Sequence, residues 1–105
     1  MQNLVSFNNP YQFIESLKSL PFVEQIWLFG SRARGDHHEK SDIDIAIVCP
    51  HATNENWLEI IDIVNNADTL LKIDCIQLDP LAISADLYHH ILKDRKLLYA
   101  KPTQI

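Results

Sequence analysis

With 105 residues the chain has material for one modest hydrophobic core, and 47% hydrophobic against 22% charged residues is the balance of a folded protein, which excludes a disordered or fibrous chain. A formal net charge of -5 excludes broad electrostatic attraction to nucleic acid, because phosphate backbones are bound by clustered positive charge. No run approaches the roughly 20 apolar residues that span a bilayer, and the opening MQNLVSFNNPYQF lacks a basic stretch followed by a long apolar one, so a cytoplasmic address without membrane attachment is expected.

Asn9 and Pro10 suit an N-cap and a first helical position, and Phe13, Ile14, Leu17 and Leu20 recur at helical spacing up to Pro21. They predict a helix over about residues 10–20. Val23–Phe29 (VEQIWLF) is rich in β-branched and aromatic residues and stops at Gly30, as a strand running into a tight turn would. The polar segment Ser31–Ser41 then separates it from a second strand, Ile43–Val48, closed by Pro50. Thr53 or Asn54 caps a helix with a broad apolar stripe through Trp57, Leu58, Ile60, Ile61, Val64, Ala67 and Leu71, ending near Asp68 to Leu70. Lys72–Leu78 (KIDCIQL) reads as a third strand. Asp79 and Pro80 form a cap and first-turn proline for a last helix reaching about Lys93, and Lys96–Tyr99 adds an edge strand. Helices alternating with strands predict a sheet covered by helices, an α/β arrangement in a single domain over residues 1–105. Cys49 and Cys75 lie in apolar runs without a CxxC pattern and read as reduced core thiols.

Three acidic residues interrupt apolar strands where a carboxylate is expensive: Asp42 and Asp44 in SDIDIAIV, and Asp74 in KIDCIQL. Alternation along a strand puts Asp42 and Asp44 on one face and Ile43, Ile45 and Ile47 on the other. Two carboxylates forced together call for a cation or a proton, and oxygen-only ligands favour magnesium or manganese over zinc. The helical connection between the second and third strands is the mark of a right-handed parallel crossover, which brings Asp74 to the same edge as Asp42 and Asp44. If the first strand runs antiparallel to the second, Gly30 and Ser31 arrive there too. Gly30 permits a sharp bend, the amides and hydroxyl of Ser31 suit phosphate oxygens, and Arg32 and Arg34 offer forked cationic donors for a triphosphate. A phosphate-holding turn, a basic pair and three carboxylates specify phosphoryl or nucleotidyl transfer.

The stretch FGSRARGDHHEKSDIDIAI, with Gly30 and Ser31 separated by ten residues from Asp42-Ile43-Asp44 and Asp74 on a later strand, resembles the DNA polymerase β nucleotidyltransferase superfamily. Within it, the GSRARG opening and the length most resemble the minimal nucleotidyltransferase (MNT) proteins encoded beside a helical HEPN partner. The resemblance covers residues 10–99. It implies an α/β (α+β) polymerase-β-type fold, a mixed sheet of three to four strands flanked by helices in α-β-α-β-α-β-α order, with the first strand antiparallel. It further implies two Mg2+ ions held by Asp42, Asp44 and Asp74, ATP as substrate, and a proton-accepting role for Asp74. Ser31 and Arg32 would grip the triphosphate. MNT proteins of this kind act as antitoxins to HEPN ribonuclease toxins, and some transfer AMP to a toxin tyrosine.

The expected activity is therefore an adenylyltransferase antitoxin acting on a hydroxyl of a HEPN toxin, in a possible oligomer with it. The rival expectations are a non-catalytic antitoxin that occludes its partner, or transfer to a small molecule such as an aminoglycoside. His37-His38 and His89-His90 invite a metal, but neighbours on a helix point in different directions, so His89 and His90 do not easily face one ion, and both pairs read as solvent-facing. His37 and His38 fall in the candidate site's loop without an assigned role. Trp27 and Trp57 read as core rather than as base-stacking rings.

Overall fold

The computed structural model describes residues 10–102. Along the chain they form α1 (Phe13–Lys18), β1 (Gln25–Phe29), α2 (Gly30–Arg34), β2 (Ile43–Val48), α3 (Asn54–Asn65), β3 (Ile73–Gln77), α4 (Ala85–Asp94) and β4 (Lys96–Ala100). The strands make one sheet in the order β3-β2-β1-β4. β2 and β3 are parallel, joined by α3 as the crossover that a parallel pair requires, and β1 is antiparallel to both β2 and β4. The architecture is thus the mixed α/β fold anticipated from the residues, with β4 added at the edge.

Burial fixes which way β2 faces. Ile43, Ile45 and Ile47 are fully buried on one side of the sheet, packed with Leu17 of α1, Ile26 of β1 and Ile60 of α3. Ala46 turns to the other side, where Leu78 and Ile91 of α4 cover it. Fully burying an isoleucine contributes about 1.5–3 kcal/mol, so slipping β2 by one residue would take three such side chains out of this cluster and drive carboxylates into the core. The isoleucine alternation therefore also orients Asp44, which shares its face with Ala46.

Several element boundaries differ from those expected. The Asn9 cap lies outside the described residues; Pro10, Tyr11 and Gln12 form a turn and the regular helix begins at Phe13. Gly30–Arg34 is not a bare turn but the short helix α2, which Gly35 ends in the left-handed conformation with its N–H donating to the Ser31 carbonyl. α3 starts as anticipated, with Thr53 and Asn56 capping each other reciprocally. It stops at Asn65 rather than near Asp68 to Leu70: the Asn66 N–H makes the last regular bond, to the Asp62 carbonyl, and the Ala67 N–H then turns to the Val64 carbonyl in a tighter, non-α turn. Asp79 caps only a local turn, accepting from the Leu81 N–H at 2.9 Å. Ser84 provides the cap of α4 by accepting from the Leu87 N–H, so that helix begins five residues after the position expected from Asp79 and Pro80. Among the described residues no helix is long and apolar enough to cross a membrane. Cys49 and Cys75 are free thiols, and burial pushes their pKa values up to about 11 and about 12.

Candidate active site

The register of three strands gathers the expected residues at one edge. Phe29, the last residue of β1, lies opposite Asp44 of β2, and Asp44 lies opposite Asp74 of β3. Gly30 follows Phe29 directly and has φ +72°, a left-handed conformation that L side chains avoid. A Cβ at Gly30 would overlap the Asp44 Oδ2 and come within 3.2 Å of its Cγ. Two independent constraints, backbone angle and a carboxylate pressed against the backbone, thus require glycine at this position.

Asp44 is half-buried and its pKa rises from the usual 3.8 to about 6. Burial is the main cause. The hydrogen bond and charge of Asp74 come next, then the charge of Asp42, with Lys72 partly opposing them. The carboxylates therefore repel one another across this edge, as the strand pattern requires. Asp74 is half-buried and is paired with Lys72, whose Nζ stands 3.6 Å from its Oδ1. Asp42 is exposed just before β2 and acts on Asp44 through its charge. The three do not form a closed cage: among the described residues no group of three or more His, Cys, Asp or Glu side chains is already arranged around one point.

The two arginines part company. They are two apart on α2, and residues at that spacing on a helix do not face the same way. Arg34 turns toward α4, with its Nε 3.0 Å from Asp36 Oδ2 and its Nη1 3.8 Å from Asp94 Oδ2, on the sheet face that carries Asp44. Arg32 turns the other way, donating to Tyr11 and to the carbonyls of Glu39 and Ser41. Its donors are thus engaged by the protein, whereas the sequence pattern put them on a triphosphate. Ser31 is half-buried in the first turn of α2, next to Gly30.

A cleft of about 700 Å3 opens behind this edge, bordered by Pro10, Arg32, His37, Glu39, Thr69 and Leu70. None of the three carboxylates lines it, so it is not the site of the candidate chemistry. His38 is exposed, accepts the Lys40 N–H on its Nδ1, and helps shape the loop before Asp42. Two contributors escaped the sequence reading. Lys72 was legible in principle, since it stands two residues before Asp74 and so on the same strand face. Tyr11 carried no signal, because its contact with Arg32 spans 21 residues.

Comparison with known proteins supports the fold. No curated protein matches the chain. Among solved structures, a chain in the crystal structure of a toxin-antitoxin with AMP-PNP is 27% identical, with a TM-score of 0.65 over 89% of this chain and 74% of that one. A chain in a mutant of the toxin-antitoxin MntA-HpeT is also 27% identical, with a TM-score of 0.63 over 89% and 73%. A chain in the structure of a tri-AMPylated Shewanella oneidensis HEPN toxin in complex with MNT antitoxin is 22% identical, with a TM-score of 0.55 over 96% and 74%, a likeness of fold. Residues 12–104 match the sequence model of the family described as polymerase beta, nucleotidyltransferase, and the chain belongs to that family.

Proposed function

We propose that this protein transfers AMP from ATP to a hydroxyl of a HEPN-domain partner, with Mg2+, as the antitoxin of a toxin-antitoxin pair in the cytoplasm. The observation that carries this reading is the pairing of Asp44 with Asp74 across β2 and β3, with Asp42 two residues away and Gly30 held against Asp44. The likeness to a toxin-antitoxin bearing AMP-PNP supports it.

The donor set fits magnesium. It is made of carboxylate oxygens alone, burial and then their mutual repulsion raise the pKa of Asp44, and a divalent cation relieves that repulsion. Asp42, Asp44 and Asp74 would hold two ions. Bound there, Mg2+ supplies charge neutralisation for the triphosphate. The remaining work falls to the chain. Ser31 offers its hydroxyl and amide to phosphate oxygens beside Gly30, and Arg34 on the carboxylate face would serve them by exchanging its Asp36 and Asp94 partners for phosphate. In the reaction the acceptor oxygen bonds to the α-phosphorus, the bond from that phosphorus to pyrophosphate breaks, and Asp74 accepts the hydroxyl proton.

The test is to incubate the purified protein with ATP labelled in the α-phosphate, Mg2+ and the product of the neighbouring gene. Label is expected on the partner, and an active toxin that stays unlabelled overturns the proposal. The Asp42→Asn, Asp44→Asn double variant separates catalysis from occlusion, because full neutralisation by that variant would mean that binding alone suffices.

A further inference from the structure

We infer that Arg32 is a positioning residue: its guanidinium clamps the loop that carries Asp42, so that this carboxylate is set before any ligand arrives. The inference rests on the reading of Asp42 as a metal-holding residue. An arginine has five N–H donors in a rigid fork. Arg32 commits four bonds to the protein: Nε to the Ser41 carbonyl at 3.2 Å, Nη2 to the same carbonyl at 3.0 Å and to the Glu39 carbonyl at 3.1 Å, and Nη1 to the Tyr11 hydroxyl at 3.1 Å. The Tyr11 ring lies under the guanidinium, 5.9 Å from Cζ to its centroid.

What it grips has little else to fix it. The segment between α2 and β2 reads GDHHEKSD and has no apolar side chain to bury. Its internal order is a small polar turn, in which the Ser41 N–H donates to the His38 carbonyl and the His38 N–H to the Ser41 Oγ, both at 3.0 Å. Arg32 ties that turn to α2 and to Tyr11, and Tyr11 packs against the core under α1 and α3. Ser41, which accepts two of the four bonds, is the residue immediately before Asp42. The clamp therefore acts on the carboxylate through one peptide unit, on the side of the sheet away from Asp44. Arg34 lies on the carboxylate side, where Asp36 and Asp94 pair with its guanidinium.

Amide hydrogen exchange and Mn2+ binding test this in Arg32→Ala, Arg32→Lys and Tyr11→Phe. Arg32→Ala is expected to speed exchange at His38 and Ser41 about tenfold while the β2 amides keep their protection. It should weaken Mn2+ binding about tenfold, the scale of losing an outer-shell support. Affinity for inorganic triphosphate without metal should stay unchanged. Tyr11→Phe, which cannot alter a phosphate contact, should move loop exchange in the same direction by a smaller factor. Should Arg32→Ala also lose β2 protection, Arg32→Lys decides, since lysine keeps the charge but cannot span all the acceptors; loop exchange must rise although β2 holds. Unchanged loop exchange, or a loss of triphosphate affinity with the loop still protected, overturns the clamp. A wild-type protein that binds no Mn2+ would instead sink the metal reading of Asp42, and the exchange results would still decide what Arg32 does.

Discussion

Replacing Asp44 with Asn should stabilise the metal-free protein while abolishing its activity. The folded chain holds the Asp44 carboxyl at about 6 instead of 3.8, so between those values the folded state binds more protons than the unfolded one. Stability is therefore highest below 3.8, falls as pH rises through the folded pKa, and carries the full cost above about 6. The rise in pKa sets a ceiling of about 3 kcal/mol. Solvent around this half-exposed group screens it, which leaves about 1 kcal/mol. Asparagine removes the charge and offers Asp74 a donor, so the variant should melt about 4–8 °C higher at about pH 8 in chelator, the response of a domain this size to 1 kcal/mol. Below about pH 4 the gap should close, and excess Mg2+ should stabilise the wild type but not the variant. Thermal unfolding of both proteins under the three conditions measures this. A variant that is less stable in chelator at about pH 8, or a gap that does not depend on pH, would refute the reasoning.

Gly30→Ala should cost about 1–2 kcal/mol for the left-handed backbone alone, read as a lower urea midpoint, and should weaken Mn2+ binding because the added methyl displaces the Asp44 carboxylate. Thr53→Ala removes one half of the α3 capping box and should cost about 1 kcal/mol in the same titration with nucleotidyl transfer intact. Arg95→Ala removes a guanidinium stacked 3.9 Å from the centroid of the half-buried Trp27 ring; a loss of about 0.5–1 kcal/mol and a changed tryptophan emission are expected, and an unaltered spectrum would show that the contact does not persist in solution.

Local chemistry made much of the fold legible. The run Ile43–Val48 is bounded by Pro50 and a polar loop and emerged with the expected limits, and Thr53 could be identified as a cap because a hydroxyl before an amphipathic stripe has one obvious use. The cap expected at Asp79 and Pro80 is not the one α4 uses: Ser84 takes that place, where the helix lies to cover Ala46. GSRARG looked like a turn because five residues are too few to display a helical period. That reading put Arg32 and Arg34 together beside a triphosphate, although a helix sends them to opposite sides.

By itself the sequence determined that carboxylates would share a strand face, since the period of two is a property of extended backbone and the isoleucines bind that face's direction to the core. The parallel crossover from β2 to β3 followed as well, because chain length between two strands and the handedness of connection leave few alternatives. Tertiary structure alone decided that Asp44 and Asp74 stand in the same register, that Gly30 presses on one of them, and that Tyr11 and the Ser41 carbonyl take the donors of Arg32. Each of those is a contact between residues far apart in the chain, set by how the layers pack, and periodicity along one segment carries no record of what another segment brings against it.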